Sequence, residues 1–231
     1  RIDIDQWVTN EMWSTAILEL NPSTGLIDWE WHLWDHLIQD IDPSYGAFFG
    51  TISDHPELFD INCGSVGNNA GGPQGANGDW MHINAIDYNP VLDQIVISSR
   101  LQNEIYIIDH STTTEEAASH SGGNSGKGGD ILYRWGNPEN YGRGDSSDRI
   151  LASQHSVNWI SEGYPGSGNL ILFNNFHADD LHESYSAVLE LTPPVDSYGN
   201  YSITTDGTFD PDTLHWDFAC NIVVPMQGGA F

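Results

Sequence analysis

The sequence predicts an all-β protein organised as a β-propeller of four-stranded antiparallel blades, and three observations carry that prediction. Nine Trp, nine Tyr and eight Phe stand beside 24 Gly and 11 Pro, a mixture that favours short aromatic-rich strands joined by turns over long helices. A four-strand pattern that opens at His82 starts again at His155. Trp29, Trp135 and Trp216 each stand at the end of an outer strand, and tandem four-strand units closed by an aromatic are the signature of propeller blades.

The first element is a hairpin, with strands at 17–20 and 26–29 around the turn Asn21-Pro-Ser-Thr-Gly25. It reads as the end of one blade within residues 1–37. The next blade occupies 79–136. Its strands lie at 82–88, at 95–97 ending in Ser-Ser-Arg100, at 104–109 and, past a Ser/Thr/Gly-rich loop, at 130–135. The following blade, 153–218, repeats that order with strands at 155–160, 169–173, 186–191 and 213–216. Residues 221–224, within 219–231, read as the start of one more blade, so 1–231 is a single propeller segment.

A β-sandwich of short strands also places a turn about every ten residues, but it gives no reason for a histidine at the head of each unit. A ring closes with about four blades or more. The segment is therefore an incomplete set, expected to meet additional blades or to associate as an oligomer.

Against 33 Asp and Glu stand only six Lys and Arg, a formal net charge of −27. That balance excludes nucleic acid and anionic membrane surfaces as natural partners. The acids are scattered, as in a solvated shell suited to extracellular or salty surroundings. Cys63 and Cys220 lie far apart with no C-x-x-C spacing, and are either free or paired. No apolar run reaches the length of a membrane-spanning helix.

In a propeller the first strand of each blade lies nearest the axis, where its leading residues converge with those of other blades. His82 and His155 hold that position. The hairpin after His82 turns about residue 91, which places Arg100 opposite His82 across the pair. An arginine beside one histidine and near another makes a local anion site in an acidic chain. The same geometry puts Asn174 or Asn175 beside His155 as a neutral hydrogen-bond partner. Alternatively, each histidine simply caps its strand.

The motif Asp79-Trp-Met-His-Ile-Asn84, followed by Ile95-Val-Ile-Ser-Ser-Arg100, then Gln154-His155 with Leu170-Ile-Leu-Phe-Asn-Asn175, resembles the arylsulfotransferase family of bacterial secreted and periplasmic six-bladed propellers. The likeness covers residues 79–191 and, more loosely, Trp29-Glu-Trp-His-Leu-Trp-Asp-His36. It makes this chain about three of six blades. It implies transfer of a sulfuryl group from a small aryl sulfate to a phenol acceptor, with no nucleotide donor and no cofactor, through a sulfated histidine.

Carried over by position, His155 is the nucleophile, His82 and Arg100 bind the sulfuryl oxygens, and His36 is a further family histidine. Asn84 and Asn175 are the substrate-binding candidates. His32 alternates with tryptophans and reads as packing. The resemblance also implies a secreted or periplasmic location. The competing reading is a non-catalytic extracellular propeller module for binding or assembly.

The other histidines, His55, His110, His120, His177, His182 and His215, form neither H-x-x-x-H nor H-E-x-x-H, so no metal site is expected. His177 and His182 with Asp179 and Asp180 are the nearest approach to one. The Gly- and Asn-rich stretches 62–79 and 119–130 lack the acidic spacing of calcium loops. There is no G-x-S-x-G elbow, and no Gly-rich run opens onto a predicted helix.

Overall fold

A computed structural model describes residues 12–64, 66–67, 78–178 and 184–231. Strands β1 (Ala16–Leu20) and β2 (Ile27–His32) form the first hairpin. Its turn is made by Asn21, whose Oδ1 accepts from the amides of Ser23 and Thr24 at 3.0 and 3.2 Å. Gly25 then takes the left-handed conformation, φ 71°.

A small parallel sheet follows, with β3 (Leu37–Gln39) between β4 (Phe48–Phe49) and β5 (Phe59–Asp60). No strand is expected there from the sequence. Strands of two or three residues are too short to show a period of two.

The next sheet contains β6 (Ile83–Asn89), β7 (Gln94–Ser99), β8 (Glu104–Asp109) and β9 (Ile131–Trp135), each antiparallel to its neighbour in that order. The last sheet repeats the order with β10 (His155–Trp159), β11 (Leu170–Ala178), β12 (Ser184–Leu191) and β13 (Trp216–Ala219). The two units anticipated from the repeat are therefore both four-stranded antiparallel sheets. The loop before β9 also carries one helical turn, α1 (Thr114–Ala117), closed by a capping box between Thr113 and Glu116.

Every residue of β7 and β8 is buried, and alternation explains how. Ile95, Ile97, Tyr106 and Ile108 join Ile17, Trp29 and Trp31 of the hairpin in one core. Val96, Ile105 and Ile107 join Val157, Leu170, Leu172, Leu189 and Leu191 in another. The middle sheet is thus covered on both faces, which is why its strands read as unbroken apolar runs.

Arg134 of β9 lies buried in that arrangement. Its Nε and Nη2 donate to Glu104 at 2.9 and 2.6 Å, and its Nη1 donates to the carbonyls of Pro56 and Leu58 at 3.3 and 3.1 Å. Burial by itself would lower the guanidinium pKa, and the adjoining Glu104 carboxylate reverses this, so the group is held above its usual value. The pair fastens the segment around β5 to the middle sheet.

The two four-stranded sheets meet along their first strands. Asn84 Nδ2 donates to the Gln154 carbonyl at 2.7 Å, and the Trp159 amide donates to Asp87 Oδ2 at 2.8 Å. Gln154 Nε2 reaches the carbonyls of Ser99 and Glu104, each at 2.9 Å.

Two expectations are corrected. The last strand of the second unit runs over Trp216–Ala219, starting where 213–216 was expected to end, because β12 offers its free edge at Ala187–Glu190 to those residues. Residues 221–224 begin no strand. The Ile222 carbonyl and the Val224 amide attach to Ser186, and left-handed residues at Asn221, Gln227 and Gly228 turn the chain back over β11. The described sheets close no ring. Cys63 and Cys220 are not joined in a disulfide, and no helix among the described residues is long and apolar enough to cross a membrane.

Candidate active site

The heads of β6 and β10 share a local design. Each first strand carries a register shift at its start, between Ile83 and Ala85 and between His155 and Asn158. Left-handed non-glycine residues flank both points: His82 at φ 47°, Ser153 at 54° and Ser156 at 58°. Bulges and strained backbone re-aim side chains at the rim of a sheet.

At the first head, Asp79 takes both donors of His82. Oδ1 accepts from the backbone amide at 3.1 Å and Oδ2 from Nδ1 at 2.5 Å. The ring itself remains partly exposed to solvent. The Arg100 amide donates to the His82 carbonyl at 3.2 Å, the adjacency expected from the hairpin. The Arg100 side chain is half-buried. Among the described residues its guanidinium has no hydrogen-bond or carboxylate partner, whereas Arg134 is paired with Glu104 and Arg143 donates to the Ser53 carbonyl at 2.8 Å.

At the second head, His155 Nδ1 lies 2.7 Å from Asn175 Oδ1 and 2.9 Å from the Ser153 carbonyl. The Asn175 amide orientation follows from its other end, where Nδ2 donates to the carbonyls of Val224 and Gln227 at 2.8 and 2.6 Å. Both groups facing Nδ1 are acceptors, so Nδ1 carries the proton. In the neutral ring the lone pair is then on Nε2, which has no hydrogen-bond partner among the described residues.

The imidazole lines a cleft of about 580 Å³ together with Asn84, Asp87, Asn158, Gln227 and Phe231. Asn84 Oδ1 is buried there without a partner. His82 and Arg100 lie outside this lining, although the Asn84 to Gln154 bond joins the two heads directly.

His155 differs from most of the other histidines. His32, His36, His55, His82, His110, His120 and His215 each stand against a carboxylate, whereas the Nδ1 partners of His155 are neutral carbonyls. Among the described residues His177 is the other exception. Burial pushes its imidazole below the usual histidine value, with Asp217 opposing. Asp179, Asp180 and His182 lie outside the described residues.

The structure brings His82, Arg100, Asn84, His155 and Asn175 to adjoining strand heads. His36 stands apart in the first core, fully buried, with Nδ1 2.8 Å from Asp130 and Nε2 2.8 Å from the Ala117 carbonyl. Asn175, expected at the substrate, is itself fully buried and spends its amide on His155 and the returning chain. That returning chain at Val224 and Gln227 had no signal in the sequence. Neither did the Ser153 carbonyl.

The scaffold is all-β, built of repeated four-stranded sheets, with histidines at the heads of adjoining first strands and Arg100 beside them. The chain belongs to the arylsulfotransferase family: the family model described as Arylsulfotransferase (ASST) matches residues 6–202. A search of curated proteins finds no match.

Proposed function

We propose that this protein transfers a sulfuryl group from an aryl sulfate to a phenol, with His155 Nε2 as the nucleophile. The observation that carries the reading is the fixed tautomer: Nδ1–H is committed to Asn175 and Ser153, leaving a lone pair on Nε2 of a ring that lines the cleft. Nε2 attacks sulfur, the bond from sulfur to the donor's phenolic oxygen breaks, and the phenolate leaves. The acceptor oxygen then attacks the same sulfur and the Nε2–S bond breaks. The proton lost by the acceptor phenol balances the one gained by the donor's phenolate.

Neutral carbonyl partners suit both halves. They orient the ring without a carboxylate that would strengthen its hold on sulfur and slow the second step. Arg100, free of carboxylates, supplies charge for the sulfuryl oxygens in transit. His82 lies beside it as the second oxygen-binding group and the base for the acceptor proton. Asn84 offers its unpaired Oδ1 on the cleft wall. We read the two four-stranded sheets as neighbouring blades of a six-bladed propeller that works outside the cytoplasm, its ring completed by further blades or copies.

The test is incubation of the full chain with an aryl sulfate, then intact-mass measurement before and after a phenol is added. The parent gains one SO₃ and loses it to the acceptor, and His155→Asn gains none. An unmodified parent that releases no phenol would leave a binding module as the reading. An adduct of the same size on His155→Asn would move the nucleophile elsewhere.

A further inference from the structure

We propose a divalent metal site, of the kind that takes zinc, at His36, His120 and Asp130. Three separated parts of the chain supply it: the turn after β2, the loop after α1, and the residue before β9. The candidate ligand atoms all lie within 4.8 Å of one another. His36 Nδ1 and His120 Nδ1 each stand 2.8 Å from the same oxygen, Asp130 Oδ1. Asp130 is 4% exposed, and its other oxygen, Oδ2, receives no hydrogen bond from the described residues.

The two ring nitrogens of His36 face different groups. Its Nε2 faces the Ala117 carbonyl at 2.8 Å, and a carbonyl can only accept, so Nε2 carries the proton. Nδ1 faces the Asp130 carboxylate at 2.8 Å, a contact that either a proton or a metal cation can bridge, and the His36 ring itself is fully buried. A metal cation in place of that proton bonds to the nitrogen on one side and the carboxylate on the other. A backbone carbonyl holding the far N–H of the ring is also the usual way a metal-bound histidine is oriented. Trp31 stacks on the same ring, 5.5 Å between centroids and 4° between planes, and ties itself to the Gly129 carbonyl at 2.8 Å.

Gly129 lets the loop pass close to that ring. A Cβ there would stand 2.1 Å from the Ala117 oxygen and 2.6 Å from His36 Nε2. On the loop, the Gly129 amide donates to the Ser119 carbonyl at 3.1 Å, which places His120 over Asp130.

Zinc bound at about 2.0–2.2 Å to N and O ligands spaces them about 3.3 Å apart. The pairs at 2.8 Å must therefore open by about 0.5 Å. His120 is exposed and can swing to allow it, which also gives the ion its path from solvent. Two imidazoles and one carboxylate select a first-row transition ion over magnesium or calcium, with a water as fourth ligand. The ion would staple the loop of residues 119–130 to the first core, independently of any sulfuryl transfer.

The experiment strips the full chain with a chelator and titrates Zn²⁺ by calorimetry, with thermal unfolding measured alongside. The parent is expected to bind one ion per chain and to melt at higher temperature when loaded. His120→Ala, a change at an exposed side chain, should weaken binding at least about tenfold and abolish the rise in Tm. Asp130→Asn should do the same, while His215→Ala should bind like the parent. Absence of stoichiometric zinc binding by the parent overturns the site, and so does parental affinity in His120→Ala.

Discussion

At the scale of single residues, the tautomer of His155 is set by Asn175 and the Ser153 carbonyl. Asn175 holds Nδ1–H through an amide that the carbonyls of Val224 and Gln227 have already oriented. Asn175→Ala leaves only the Ser153 carbonyl, and the ring can then tilt. The expected result is a fall in kcat of about 10²-fold with KM little changed, read in steady-state transfer assays. An equal change in both constants, or none, would assign Asn175 a packing role. Arg100 carries a different expectation. Lysine keeps the charge and loses the planar fork that can hold two oxygens. Arg100→Lys should therefore reduce kcat/KM by about 10² or more, and parental turnover in that variant would make Arg100 structural.

At the scale of elements, the β6–β7 turn shows how the chain fixes its register. Asn89 Oδ1 accepts the amides of Val91 and Leu92 at 3.0 and 3.1 Å, and Asp93 closes the turn with φ 54°. The Asp93 carboxylate then accepts from Tyr88 Oη and His110 Nδ1, both at 2.8 Å. Desolvation raises its pKa, but these two bonds outweigh it and hold the group below 3.8. A depressed carboxylate stabilises the fold above its unfolded pKa, and that contribution disappears as pH falls through the folded value. Acid melts of Asp93→Asn should accordingly show less loss of Tm below about pH 4 than the parent. A parallel loss in both proteins would remove Asp93 from the acid response.

At the scale of the molecule, the net charge of −27 is not offset by a basic face, because the chain has only six Lys and Arg. Self-repulsion of this kind weakens the compact state and is screened by salt. Raising monovalent salt from about 10 mM to about 1 M should raise the thermal midpoint, as followed by circular dichroism. A falling midpoint would mean that close ion pairs matter more than the overall charge.

The strands at the centre were legible because their local chemistry and their tertiary setting agree. Ile95-Val-Ile97 and Ile105-Tyr-Ile-Ile108 are apolar on both faces, and both faces are covered. The pairing of His82 with Arg100 followed from turn position and alternation, which are local geometry. So did the nearness of Asn175 to His155. The motifs around His82, Arg100 and His155 pointed to the family whose model matches residues 6–202.

Tertiary structure alone decided the rest. The parallel sheet of β3, β4 and β5 exists because Arg134 and the first core hold strands too short to declare themselves. The chain after β13 turns back because left-handed residues and Ser186 redirect it, and only there does it meet Asn175. His36, His120 and Asp130 share no sequence spacing, yet folding places their ligand atoms together. Alternation, turns and repeats act over a few residues, so a sequence displays them. A tautomer or a ligand set is made by groups far apart in the chain, and its geometry comes into being only when the sheets pack.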